Sequence, residues 1–121
     1  MGTKQRAAII VFMMILFLCC SGTLRAFDQT HLKKLSTSMN CSGCDLSNAN
    51  LANMDLSNMN LSNANLSGAD LTGTNFWDAN LTNTNLSGAK LSNTNFEGAN
   101  LSNATWVDGK KCKQGSRGKC N

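Results

Sequence analysis

The sequence predicts an all-β solenoid, and three observations predict it. From Cys41 to Trp106 an apolar residue returns at every fifth position without an insertion. Two places before each stands Met, Ala, Thr or Cys. Two places after each stands, in nearly every case, Asn or Gly. A period of five fits neither a helix nor a plain strand. Cut in fives from Met39, the chain reads MNCSG CDLSN ANLAN MDLSN MNLSN ANLSG ADLTG TNFWD ANLTN TNLSG AKLSN TNFEG ANLSN ATWVD, fourteen units in phase. Positions one and three are two residues apart, so on an extended backbone they share a side and position two points away. The next inward pair begins three residues later, and an uninterrupted strand would put it on the wrong face. The chain must therefore turn at positions four and five. Asn and Gly at position five tolerate the positive φ of a type II turn. A short extended piece and a turn, repeated with one hand, closes into a coil with its apolar residues inside.

The elements follow in chain order. Residues 1–26 read as a secretory signal peptide, with Lys4 and Arg6 ahead of the apolar run Ala7 to Cys20. That run has the length of a signal core and is short for a membrane span. Cleavage is expected after Ala26, although Leu24 is bulkier than such sites favour. The alternatives are an uncleaved membrane anchor, or lipidation at Cys19 or Cys20, against which the bulky Phe17 and Leu18 stand. Residues 27–38, FDQTHLKKLSTS, form a lead-in that can cover the first coil as a short helix through Phe27, Leu32 and Leu35, since solenoid ends need covers. Residues 39–108 are the repeat, and residues 109–121 a cysteine-containing tail. The formal net charge of +4 is unevenly spread. Residues 39–107 carry Asp45, Asp55, Asp70, Asp78 and Glu97 against Lys90, whereas Lys110, Lys111, Lys113, Arg117 and Lys119 crowd the tail. The mature chain thus has a mildly acidic body and a basic end.

The units ANLSN, ADLTG and ANLTN resemble the pentapeptide-repeat family, whose units follow A(D/N)LXX. The match covers roughly residues 39–108. It departs in Met or Thr for Ala, in Lys90 at a second position, and in Trp106 in the last unit. The resemblance implies a right-handed, four-sided (quadrilateral) β-helix of about three and a half coils, a rod about 17 Å long at the spacing of paired strands. Four units per turn stack the core in columns: Leu56–Phe76–Phe96, Cys41–Leu61–Leu81–Leu101, Leu46–Leu66–Leu86–Trp106 and Leu51–Leu71–Leu91.

Cys41 and Cys44 lie at one end of that rod and Cys112 and Cys120 at the other. Its length exceeds the reach of a disulfide, so local pairs are expected, Cys41 with Cys44 and Cys112 with Cys120. Cys41 and Cys44 also hold inward positions and can equally be small core residues. As C-x-x-C they invite a redox or zinc reading, but the pair belongs in a coil, not at a helix start, and His31 is the lone histidine, read as a solvated residue of the lead-in. The lead-in and the tail resemble those of small exported bacterial pentapeptide-repeat proteins, whose tail W-x-DG-x-x-C-x-x-GS-x-G-x-C maps onto Trp106, Asp108, Gly109, Cys112, Gly115, Ser116, Gly118 and Cys120. This implies a shared architecture and supplies no activity.

No catalytic, cofactor or metal residues are assigned. Ser and Thr are placed by the repeat, without a base beside them. Asp45, Asp55, Asp70 and Asp78 read as a hydrated row capping turns. The sequons at Asn60, Asn65, Asn80, Asn85 and Asn100 arise from the repeat itself. Trp77, at an outward fourth position, is the candidate partner contact. The expected function is a non-catalytic, exported interaction scaffold, periplasmic or extracellular. Its partner would be a protein or an envelope component; no nucleic acid and no stable membrane insertion after cleavage are expected. Two alternatives come from other classes. Some family members mimic DNA and bind topoisomerase, which asks for a long acidic cytoplasmic rod. A flat hydroxyl face such as Ser62–Thr82–Ser102 would suit ice or polysaccharide.

Overall fold

Between layers, backbone hydrogen bonds join residues nineteen or twenty-one apart, around bridges between residues twenty apart. In the computed structural model, which describes residues 29–121, the second position of each unit forms a parallel bridge with that of the fourth unit on, from Asn40 with Asn60 to Asn85 with Thr105. The expectations for the signal segment, for Cys19 and Cys20, and for Phe27 lie outside the described residues. The unit Asn80–Asn83 shows the bond pattern: Leu61 N–H donates to Asn80 O at 2.8 Å, Asn80 N–H to Met59 O at 2.8 Å, and Asn63 N–H to Thr82 O at 2.8 Å. Between these ladders the chain bends. Ala64 N–H donates back to Leu61 O at 3.0 Å, closing a turn. Every fifth-position residue from Gly43 to Asn103 has a positive φ, between 52° and 73°. That is why the position holds Asn, Gly or once Asp, the residues that bear a left-handed backbone at least cost.

Side chains fill the interior as the period requires. Third-position residues from Cys41 to Leu86 are fully buried, as is Leu101. The twenty-residue offset sets Phe76 under Phe96, with their rings stacked at 5.4 Å and 11°. Burying each such Leu or Phe is worth about 1.5–3 kcal/mol. Leu91 and Trp106 differ from the rest of their columns in being only partly buried. They are the last of their columns, with no further unit above them. Trp106 tilts instead onto Phe96, ring centroids 5.4 Å apart, and so leans over the end of the core. Threonine in the alanine slot is accommodated by a hydrogen bond. Thr74, Thr84 and Thr94 each donate Oγ1–H at 2.8 Å to a third-position carbonyl of the preceding layer, those of Leu51, Leu61 and Leu71. A buried hydroxyl is costly only when unpaired.

The two ends are built differently. The helix α1, Gln29–Thr37, buries Leu32 and Leu35 against the first layer. At the other end the chain reverses through a turn closed by Gly109 N–H on Trp106 O at 2.9 Å. It then runs back antiparallel over the last layer, with bridges Thr105–Lys111 and Asn100–Arg117. Disulfides join Cys41 to Cys44 and Cys112 to Cys120. Cys41, Cys44 and Cys112 are also buried, so the bonded and the inward readings of the first pair hold together.

Candidate functional site

Each position of a unit has a structural duty before it can have any other. Second-position Asn and Asp accept, through Oδ1, the backbone N–H two residues on. Examples are Ser57 on Asp55 at 3.1 Å and Thr82 on Asn80 at 3.1 Å. These side chains mimic a turn and hold each corner from outside. Several also reach the layer below: Asn65 Nδ2 donates to Asp45 Oδ1 at 3.3 Å, and Asn75 Nδ2 to Asp55 Oδ1 at 3.1 Å. Sequence reasoning found the turn-capping role and missed the amide ladder between layers. The twenty-residue return of Asx was its signal.

The hydroxyl row is engaged in the same way. Ser62, Thr82 and Ser102 donate their hydroxyls to Oδ1 of Asn60, Asn80 and Asn100 at 2.8, 2.7 and 2.6 Å. These donors are turned into their own turns, not held ready for a flat ligand. Lys90 breaks the Asx row and offers no acceptor there. Its ammonium instead lies 3.9 Å from Asp70 Oδ2 in the layer below. The Asp70 carboxyl is held below the usual value, chiefly by the Thr72 hydroxyl and backbone N–H facing it, with a further pull from Lys90.

His31 corrects the expectation of a solvated residue. Its Nδ1 accepts the Asp45 N–H at 3.0 Å. In the layers above, the equivalent second-position N–H donates to a carbonyl below it, as Asn65 does to Cys44 O at 2.8 Å. The imidazole on α1 stands in for the carbonyl that a preceding layer would supply. The sequence held no pattern for this, because it depends on where the helix lands.

Trp77 is the outward feature that the scaffold does not consume. Its backbone is fixed on both sides: its N–H donates to Asn75 Oδ1 at 3.2 Å, and its carbonyl accepts Asn58 N–H at 2.8 Å. Its ring projects outward and is 45% exposed. Met39, at the start of the repeat, is the other exposed large apolar side chain among the described residues. Ser57 lies below Trp77 in the same row and Glu97 above it, by the twenty-residue offset. The neighbouring rows carry Asp55 and Asp78, so this corner sets an indole among three carboxylates. Among the described residues no group of three or more His, Cys, Asp and Glu side chains is arranged to hold a metal. No described helix is long and apolar enough to cross a membrane.

A family model described as pentapeptide repeats matches eight copies over residues 40–78 and 79–105. Among solved structures, the chain is similar to a pentapeptide repeat protein from the Arabidopsis thaliana thylakoid lumen, at 36% identity and a TM-score of 0.56, over 59% of this chain and 50% of that one. It thus spans half the length of the Arabidopsis protein. A pentapeptide repeat protein from Nostoc Pcc 7120 is 27% identical over 66% of this chain and 75% of its own, with a TM-score of 0.41. No curated protein matches by sequence. The family match implies a right-handed quadrilateral β-helix, the winding that a twenty-residue ladder of five-residue units accommodates.

Proposed function

The chain belongs to the pentapeptide-repeat family, and on that premise we propose that it is a non-catalytic scaffold, exported into an oxidising compartment, that works by surface contact. The family is generally one of structural scaffolds. One observation carries the reading. In most units, positions one and three fill the core, position two braces the turn and position five makes it. The fourth position faces outward, where several Ser and Thr hydroxyls bond back into their own turns, and at residue 77 the chain places the exposed ring of Trp77 instead. The corner around it is the contact surface, and its three carboxylates favour a partner with basic groups beside an apolar spot.

Export is supported by the two disulfides, which persist in oxidising compartments, and by the apolar start of the chain. The neighbour from Arabidopsis is itself a lumenal protein. In this reading the rod has about three and a half coils, with α1 as its front cover and the tail as its rear staple. The test places a photoreactive side chain at Glu97 and irradiates intact cells. The expected result is a discrete adduct in the envelope or secreted fraction, lost on Trp77→Ala. Protein retained in the cytoplasm overturns export, and an adduct unchanged by Trp77→Ala overturns the corner as the contact.

A further inference from the structure

The C-terminal end of the repeat is only half covered. Every layer presents the same groups to the layer above it: the N–H of positions three and five and the C=O of position one. In the last layer the tail meets some of these. Leu101 N–H donates to Ser116 O at 2.8 Å, Trp106 N–H to Lys110 O at 2.8 Å, and Cys112 N–H to Ala104 O at 2.8 Å. On the other two sides the N–H groups of Leu91 and Phe96 and the carbonyls of Ala89 and Thr94 have no backbone partner among the described residues. They are the groups that pair one layer down, where Leu71 N–H donates to Lys90 O at 3.0 Å and Lys90 N–H to Ala69 O at 2.9 Å. Leu91 is correspondingly only partly buried. An unpaired edge of this kind is a template for an added strand.

We propose that the Lys90 side of this edge takes an extended, acidic segment of a partner protein, which pairs with Leu91 N–H and Ala89 C=O as a further layer would. Charge chooses the occupant. The Lys90 side chain is 72% exposed, and its contact with Asp70 at 3.9 Å is a long surface pair that an incoming carboxylate can share. The turn that begins the basic tail stands at the adjoining corner, where Gly88 N–H donates to Val107 O at 3.0 Å. Lys110 follows, paired with Asp108 at 3.6 Å, and residues 109–121 add Lys111, Lys113, Arg117 and Lys119 with no acidic side chain, so this end of the rod is basic in sum. A second copy of this chain is disfavoured at either of its ends. One end would bring two basic tails together, and the other carries Lys33 and Lys34 on α1. The surface is separate from the Trp77 corner, and the experiment reads it alone.

The probe is a synthetic peptide alternating Glu and Val, with a Lys and Val peptide as its counterpart, added to the intact protein. Backbone exchange is followed residue by residue. The expected result is at least tenfold slower exchange of the Leu91 amide with the acidic peptide, none with the basic one, and severalfold weaker binding as salt is raised. Lys90→Glu, which leaves the ladder intact, weakens acidic-peptide binding at least fivefold. Equal binding of both peptides, or no protection at Leu91 at millimolar acidic peptide, overturns the proposal. So does a free protein that sediments as a dimer with Leu91 already protected, since the edge would then belong to a second copy.

Discussion

At the fifth position a single residue decides whether its unit can turn, and it does so under two constraints. The first is the left-handed backbone, which costs a residue with a Cβ about 1–2 kcal/mol unless it is Asn or Asp. The second is the residue twenty places earlier. At Gly98, φ is 73° and a Cβ would run into the Asp78 carboxylate; at Gly88, φ is 70° and the row below holds Gly68, leaving room. Gly88→Ala is therefore expected to cost about 1–2 kcal/mol for its backbone. Gly98→Ala should cost more, by about 1 kcal/mol at most, because the exposed Asp78 carboxylate must swing away from the new methyl group. Urea unfolding of the two variants compares them, and equal losses would mean that Asp78 swings aside freely. Asp70 offers a different check. Its folded pKa lies below the ordinary carboxyl value of 3.8, so it stabilises the fold above that value and the contribution is lost as pH falls through the lowered one. Asp70→Asn keeps the turn acceptor but removes the charge. The stability gap between wild type and Asp70→Asn should be largest near neutrality and close under strong acid; a gap that stays constant with pH would refute the attribution. With the side chain 34% exposed, solvent screening keeps the gap small.

Among the elements, the repeat unit is the most legible in sequence and the tail the least. Inward Leu and Phe at every fifth place, with Asn or Gly two places on, state both the fold and the turn. The length of a full turn comes from the family resemblance, and the stacked rings of Phe76 and Phe96, twenty residues apart, agree with it. Local pairing of the cysteines was readable for a simple reason, that the rod is longer than a disulfide can span. The tail has no period to read. Its antiparallel return depends on the turn at Gly109 and on the last layer offering Leu101 and Trp106 N–H, both tertiary facts. His31 was illegible for the same reason: one polar residue, whose use is fixed by where α1 meets Asp45. Of the candidate contact surface, the sequence shows that Trp77 points outward; the carboxylates around it emerge only once the rows are stacked. The tail makes its own prediction. Cys112–Cys120 closes a short loop, so replacing both with Ser should cost about 2–3 kcal/mol in the chain-entropy account. Because the tail touches the last layer only, hydrogen exchange should quicken most at Leu101 and Trp106 and least at Leu61 and Leu66, in the middle of the ladder. A uniform loss of protection would show that the bond holds the whole rod instead of its end.

At the scale of the whole molecule the governing fact is that, among the described residues, each layer touches only its neighbours, apart from the helix at one end and the tail at the other. Stability in such a structure is close to a sum over layers and the contacts between them. A full layer can therefore be removed without disturbing what remains, provided the phase is kept. Deleting residues 60–79 takes out twenty residues and would bring Asn80 over Asn40, Phe96 over Leu56 and Gly98 over Asn58, pairings of the kind the native ladder already contains. The helix keeps its first layer and the tail keeps its last. That variant should fold, with β-rich circular dichroism, a cooperative but earlier urea transition, and a smaller m-value in proportion to the surface lost. Deleting residues 60–78 takes out one residue fewer and should do far more harm. The period slips by one place across the junction, inward Leu residues swing toward solvent, and the Asn residues that bear positive φ fall at positions meant to be extended. Its expected signature is a broad, non-cooperative transition. If the nineteen-residue deletion proved as stable as the twenty-residue one, the period of five would be a matter of composition only, and the ladder of twenty-residue bridges would not be what holds the chain together.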